Sequence, residues 1–332
     1  VDANWNPGAN AAVWTIVVDG TNIYLGGAFT SIGGQARSRA AKFSNTGVID
    51  ATWNPNANGH VYSIAIDGAD IYVGGAFTNI GGQSRNYIAK LNNSNGNADA
   101  TWNPNANSIV QTLNVSGSNI YAGGQFTSIG GQPRNYIAKL NNSNGNADAT
   151  WNPNANSTVQ TLTVSGSNIY AGGMFTSIGG QTRNRIAKLN NSDGAADGTW
   201  NPNASNTVNS IAIGGSDIYV GGRFTSIGGQ TRSRIAKLNN TDGTADGTWN
   251  PNASNTVNSI SISGSNLYVG GEFVAAGCTE SSNLVKLSTL DGTVVDAWSA
   301  NTNNTVLTLA TDGTDVYAGG SFTTVGGQTR NR

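Results

Sequence analysis

The sequence predicts an all-β fold built from tandem four-stranded units, and three observations carry that prediction. Trp5, Trp53, Trp102, Trp151, Trp200, Trp249 and Trp298 stand 48 residues apart once and then 49 apart five times. Tyr24, Tyr72, Tyr121, Tyr170, Tyr219, Tyr268 and Tyr317 keep the same spacing inside the motif YxGGxF. Between these anchors the apolar residues alternate in the manner of strands, and no helical period of 3.6 residues appears.

Each unit divides into four expected strands. In a middle copy, TVQTLTV (158–164) alternates, and Ser-Gly starts a tight turn into NIYAGGMFTSI (168–178), rich in aromatic and β-branched residues. The run GGQTRN is a loop, RIAKLN (185–190) a third strand, NSDG a turn, and ADGTWNP (196–202) a fourth strand. Asn-Pro and Asp-Gly are turn chemistry, because glycine tolerates positive φ and Asx side chains bond to nearby backbone. In VYSIAID (61–67), Val61, Ser63 and Ala65 are expected on one face and Tyr62, Ile64 and Ile66 on the other, so neither face is fully polar. Strands buried on both faces suit sheets stacked on their neighbours. Four short antiparallel strands every 40 to 50 residues are the mark of a β-propeller blade. Seven copies predict one seven-bladed ring, a single domain over residues 1–332. An open solenoid would need polar capping repeats, which neither end resembles.

The stretch VYSIAIDGADIYVGGAFTNIGGQSRNYIAKLNNSNGNAD (61–99) resembles the delta-60 repeat, a propeller-type repeat of large bacterial surface and secreted proteins. The order of inner strand, Asp-Gly turn, VGGxF, Arg-containing loop and AKL strand carries the likeness, and TWNPN departs from it. The resemblance implies a scaffold with no established catalytic residues.

The ends of the chain break the count. VDANWNP (1–7) is a fourth strand with no unit before it, whereas the seventh unit stops at GGQTRNR (326–332) without its IAKL strand. The N-terminal strand is expected to close the last blade, which would then be one strand short, with the native protein continuing past Arg332 or another chain supplying the strand. Val1 in place of Met predicts that a leader or longer N-terminal region precedes it.

Composition narrows the function. With 37% hydrophobic and 11% charged residues, 45 glycines and a net charge of −1, the chain gives no support for binding nucleic acid or an anionic membrane. No run nears the roughly 18 apolar residues of a membrane span. Abundant Asn, Gly, Ser and Thr with six Lys and two Glu suggest an extracellular or cell-surface bacterial β-protein. Cys278 is the one cysteine and His60 the one histidine, so no Ser-His-Asp, Cys-His or multi-His metal site can be assembled. No enzyme and no cofactor is expected, although an Asp pair acting on polysaccharide stays as a lesser alternative. The turns Asp67-Gly68-Ala69-Asp70 and Asp312-Gly313-Thr314-Asp315 lack the twelve-residue ligand series of a calcium loop, leaving weak Ca2+ binding as the minority reading.

Two candidate surfaces remain. Sixteen of the seventeen basic residues, among them Arg37, Arg85, Arg134, Arg183, Arg232 and Arg330, fall in the loop before the third strand or on that strand, whereas the Asp residues fall mostly in the turns at the other end. Either these arginines satisfy loop carbonyls, or they form one of two oppositely charged faces through which copies assemble head to tail. The second candidate is the position after the first-strand valine, which reads Trp14, Tyr62, Gln111, Gln160, Asn209, Asn258 and Leu307. Two adjacent aromatics with His60 nearby and amides following suit a sugar ring, and burial between blades would explain them equally well. The expected function is a non-catalytic structural or adhesive module whose partners are other copies or surface proteins, with a glycan-binding propeller as the alternative.

Overall fold

The computed structural model describes residues 1–2, 5–277, 279–295, 298 and 300–332. Cys278 therefore lies outside the described residues. Every regular element among them is a strand.

The second unit shows the pattern. An inner strand Val61–Asp67 turns through Gly68 and Ala69 into a middle strand Asp70–Gly75. A small hairpin, Asn79–Ile80 with Gln83–Ser84, follows, and an outer strand Ile88–Asn92 completes an antiparallel sheet in the order inner, middle, outer. Six units repeat this three-stranded sheet. In the seventh, Val306–Thr311 pairs with Val316–Gly320 and the sheet has two strands.

Among the described residues the expected fourth strand forms no ladder. After the outer strand the chain makes a single bridge, Leu91 to Ala98 in the second unit, and continues without a ladder through Trp102 and Pro104. Three features divert it. Asp99 folds its carboxylate over the N–H groups of Thr101 and Trp102, taking the donors a ladder would use. Proline offers no N–H at all. Asn105 then turns the chain with φ of 50°.

What the sequence marks as a strand is instead a strap. Trp53 leaves the first unit with its ring edge-on to Tyr24, at 5.4 Å and 78°, and donates its indole N–H to Asn92 O of the second unit at 3.2 Å. Trp102, Trp151, Trp200 and Trp249 repeat both contacts. Trp5 bears the same relation to Tyr317 of the seventh unit, at 5.3 Å and 78°, while touching Phe43 of the first. The inner strands neighbour one another in chain order, and the first also packs on the seventh.

A bulge corrects the expected faces. Pairing shifts between Val61 and Ser63, leaving Tyr62 outside the ladder. The extra residue reverses the alternation, so Val61, Ile64 and Ile66 face the first unit while Ala65 joins the cluster shared with the third. The Gly-Gly pair is explained by the same packing: a Cβ at Gly172 would lie 2.6 Å from Val208 of the next unit, and one at Gly319 would lie 2.7 Å from Val13.

Candidate functional site

The bulge re-aims one side chain per inner strand, so the residue expected to touch a ligand is the one freed from the ladder. At the first two units this produces a stack. Trp14 lies 4.7 Å from His60 with planes 19° apart and 4.9 Å from Tyr62, also at 19°. His60 and Tyr62 are 6.2 Å apart and nearly parallel at 13°. Offset stacking at these distances is favourable for aromatic rings and holds the three side chains in one orientation.

The electrostatics of this stack keep it neutral. Burial, assisted by the positive charge of Arg39, moves the His60 imidazole below its ordinary value, and burial raises the Tyr62 phenol. At neutral pH both rings are therefore uncharged. Around the ring, Asn209 and Asn258 spend their amide donors on Val257 O and Val306 O of the next unit, each at 3.1 Å. Gln111 and Gln160 do not: their Oε1 atoms are buried without a hydrogen-bond partner, as is Nδ1 of His60. Two unfilled amide oxygens thus follow the aromatic stack, one in each of the next two units. Unpaired buried acceptors cost about 1–3 kcal/mol each, a term recovered where a side-chain rotation brings them to a donor.

The five residues expected at a ligand site fall into two groups. Trp14, His60 and Tyr62 are brought into contact, whereas Gln111 and Gln160 occupy the equivalent bulge in the third and fourth units. Arg39 is the contributor that sequence reading passes over. Its φ of 66° and its reach to Ala57 O at 2.9 Å depend on the fold and leave no local signature.

The arginines of the candidate assembly face are bonded within the chain. Arg37, Arg85, Arg134, Arg183 and Arg232 are 5–6% exposed. Each guanidinium donates to the carbonyl of the preceding residue and to that of the Asp opening the strap, as Arg183 does to Thr182 O at 2.8 Å and Asp197 O at 2.6 Å. Arg330 is less buried but makes the same bonds, to Thr329 O at 2.7 Å and Asp2 O at 3.0 Å. These donors hold the loop and the strap together and are unavailable to a second copy. Three strap aspartates are ion-paired within the chain as well. Lys42, Lys139 and Lys188 reach Asp50, Asp148 and Asp197 at 3.4–3.5 Å.

Among the described residues no three His, Cys, Asp or Glu side chains converge as a metal-ligand set. Asp67 and Asp70 close a hairpin, and Asp312 accepts the N–H groups of Thr314 and Asp315. Among the described residues no helix is long and apolar enough to cross a membrane.

The strap aspartates predict an acid dependence. The Thr248 N–H is the main force holding the Asp246 carboxyl below the usual range, with Trp249 N–H, the Thr248 hydroxyl and Lys237 helping against burial. At Asp50, Asp99, Asp148 and Asp197 burial is the largest influence and opposes the charge, yet the same kinds of bonds outweigh it. A folded value below the unfolded one of about 3.9 gives stability that is complete above about pH 5 and lost as pH falls through the folded value. The urea midpoint should therefore be flat from pH 7 to 5 and drop steeply below 4, with a shallower drop in Asp246→Asn. A midpoint unchanged at pH 3 would contradict this account.

Fold and repeat define the class: this chain is a β-propeller repeat protein. The family model described as "Domain of unknown function (DUF5122) beta-propeller" matches residues 22–52, 70–101, 119–150, 168–199 and 217–248, each running from the middle strand into the strap. Comparison with curated proteins gave no match. Among solved structures, the chain is similar to the WD40 β-propeller domain of Doa1, at TM-score 0.64 and 12% identity over 95% of this chain and 92% of that one. It is also similar to the extracellular domain of a hybrid two-component system protein, BT4673 from B. thetaiotaomicron, at TM-score 0.63 and 16% identity over 97% of this chain and 38% of that one. The computationally designed Ika8 protein matches at TM-score 0.62 and 12% identity, over 97% and 98% of the two chains. At these identities the likeness concerns the fold.

Proposed function

We propose that the chain is a seven-bladed, non-catalytic β-propeller module of a bacterial extracellular or surface protein, and that it acts adhesively by binding a glycan. The observation that carries this reading is the Trp14, His60 and Tyr62 stack followed by unfilled acceptors on Gln111 and Gln160. Sugars present an apolar C–H face and a rim of hydroxyl donors, and flat aromatic surface beside carbonyl oxygens answers both. Ligand sites generally pair apolar lining with a few placed polar groups in this way. The resemblance to delta-60 repeats and the fold shared with an extracellular domain support the extracellular setting. A scaffold that assembles through its arginines is the weaker reading, because those side chains are internally bonded.

The test is a glycan screen followed by titration calorimetry on the best binder. Trp14→Ala and Tyr62→Ala should each weaken binding at least tenfold, about 1.4 kcal/mol, while Asn209→Ala should change it less. Equal affinity in all three variants, or no binder in the screen, would overturn the assignment.

A further inference from the structure

The end of the sheets that carries the aromatic stack is poor in carboxylates. Trp14 and Tyr62 are the second residues of their inner strands, and Asp19 and Asp67 close the same strands five residues further on. Five residues of strand span about 17 Å, beyond the roughly 8–10 Å over which exposed charges act at moderate salt. Asp70 and Asp217 open middle strands at that far end, and Asp193, Asp242 and Asp291 lie in the turns there that follow the outer strands.

The near end is basic. Arg39, Arg185 and Arg234 precede the outer strands there, and their carbonyls accept the N–H groups of Gly27, Gly173 and Gly222 at 2.9–3.0 Å. Arg223 follows the Gly-Gly pair of the fifth unit, and Glu272 takes that position in the sixth. Of these arginines, Arg39 stands beside the stack: it donates Nη1 to Ala57 O at 2.9 Å, and its charge is felt at His60. The second and third units carry Tyr87 and Tyr136 at the same position, so Arg39 is followed by rings.

Most of its donors are unspent. Among the described residues the bond to Ala57 is the one hydrogen bond of the Arg39 side chain, whose Nε is buried without a partner. Arg37, two residues earlier, spends both terminal nitrogens on three carbonyls. Every ion pair among the described residues joins a lysine to an aspartate, so Arg39 has no carboxylate of its own.

We propose that the glycan is acidic, the stack taking the sugar ring and Arg39 its carboxylate. This inference rests on the glycan reading above and narrows it to sugars such as uronic and sialic acids. These carry the carboxylate on a ring carbon, so a single sugar can lie against Trp14 or Tyr62 and present its anion to the neighbouring guanidinium. Paired N–H donors match the two carboxylate oxygens, and charge-assisted bonds of this kind are about twice as strong as neutral ones.

The test uses an array that sets uronic- and sialic-acid oligosaccharides beside the same oligosaccharides after reduction of the carboxyl group to hydroxymethyl, with affinities for the best pair measured by calorimetry. The acidic form should bind at least tenfold more tightly than its reduced counterpart, and this preference should narrow between about 50 and about 500 mM salt. Arg39→Asn should abolish the preference while leaving the affinity for the reduced form within about twofold; asparagine suits the backbone here, since Asn283 holds the equivalent place at φ 65° beside 66° for Arg39. Tyr62→Ala should weaken both forms alike. Equal affinity for the two forms, a preference indifferent to salt, or an equal loss for both forms in Arg39→Asn would overturn the acidic assignment and leave the glycan reading standing. Binding to neither form across the array would overturn both.

Discussion

Replacing Trp151 with alanine is expected to destabilise the protein by about 3–5 kcal/mol, the usual range for emptying the site of a buried tryptophan. The indole is wholly buried and sits edge-on to Tyr121 at 5.6 Å. Around it pack Ile137 of the third unit and Val159, Leu162 and Ile169 of the fourth. Its N–H donates to Asn190 O at 3.0 Å, a bond that shortening the side chain also removes. The cavity would lie between two sheets held by their own ladders, and so has little freedom to collapse. Because each unit touches mainly its neighbours, the loss should also loosen coupling between the third and fourth units. Urea unfolding followed by fluorescence should show an earlier, broader transition with a lower apparent m-value. A loss below about 1 kcal/mol would mean that the strap tryptophans do not carry the interfaces between units.

Changing Arg183 to methionine should cost about 2–4 kcal/mol, although the stem is retained and the net charge changes by one. Its guanidinium donates to Thr182 O at 2.8 Å, Asp197 O at 2.6 Å and Gln181 Oε1 at 2.7 Å. Methionine would leave these acceptors in a pocket that water reaches poorly, since Arg183 is 5% exposed. Arg183→Lys should recover less than half the loss, because a compact ammonium cannot span acceptors set for a planar fork. The penalty should be nearly the same in 50 and 500 mM salt, for a buried network is weakly screened. A penalty that fades with salt would place the guanidinium at the surface and revive the assembly face.

Trp5 through Trp298 and the YxGGxF tyrosines made the unit legible, because a constant spacing of two large aromatics requires a constant partner for each. The structure shows that partner to be the other aromatic, the tyrosine meeting the tryptophan that ends its own unit. The same residues misled in one respect. TWNPN looked like a strand because an aromatic flanked by small polar residues fits a half-buried strand, yet Asp99 and its equivalents withdraw the backbone donors that pairing needs. That outcome depends on where a carboxylate folds, which alternation of side chains does not encode.

The candidate site was half legible. The row containing Trp14, Tyr62, Gln111 and Gln160 emerged from aligning the units, since variation at one register position stands out against constancy elsewhere. Stacking of His60 on Trp14 did not, because it requires two units to be adjacent and a bulge at both. The arginines show the limit in the other direction. Their clustering in sequence reads as an internal brace or as a charged face, and only the fold shows five of the guanidinium groups buried, with Arg183 bonded to three carbonyl-type acceptors.

From residue order alone came the all-β class, the 49-residue unit, its turns and the positions that vary between copies, all of which rest on local propensity and on periodicity along the chain. Which face each inner strand turns inward, where the strap tryptophans lodge and how the arginines are spent depended on tertiary packing. Such contacts join residues from 14 to 328 positions apart, and their geometry follows from how neighbouring sheets fit together.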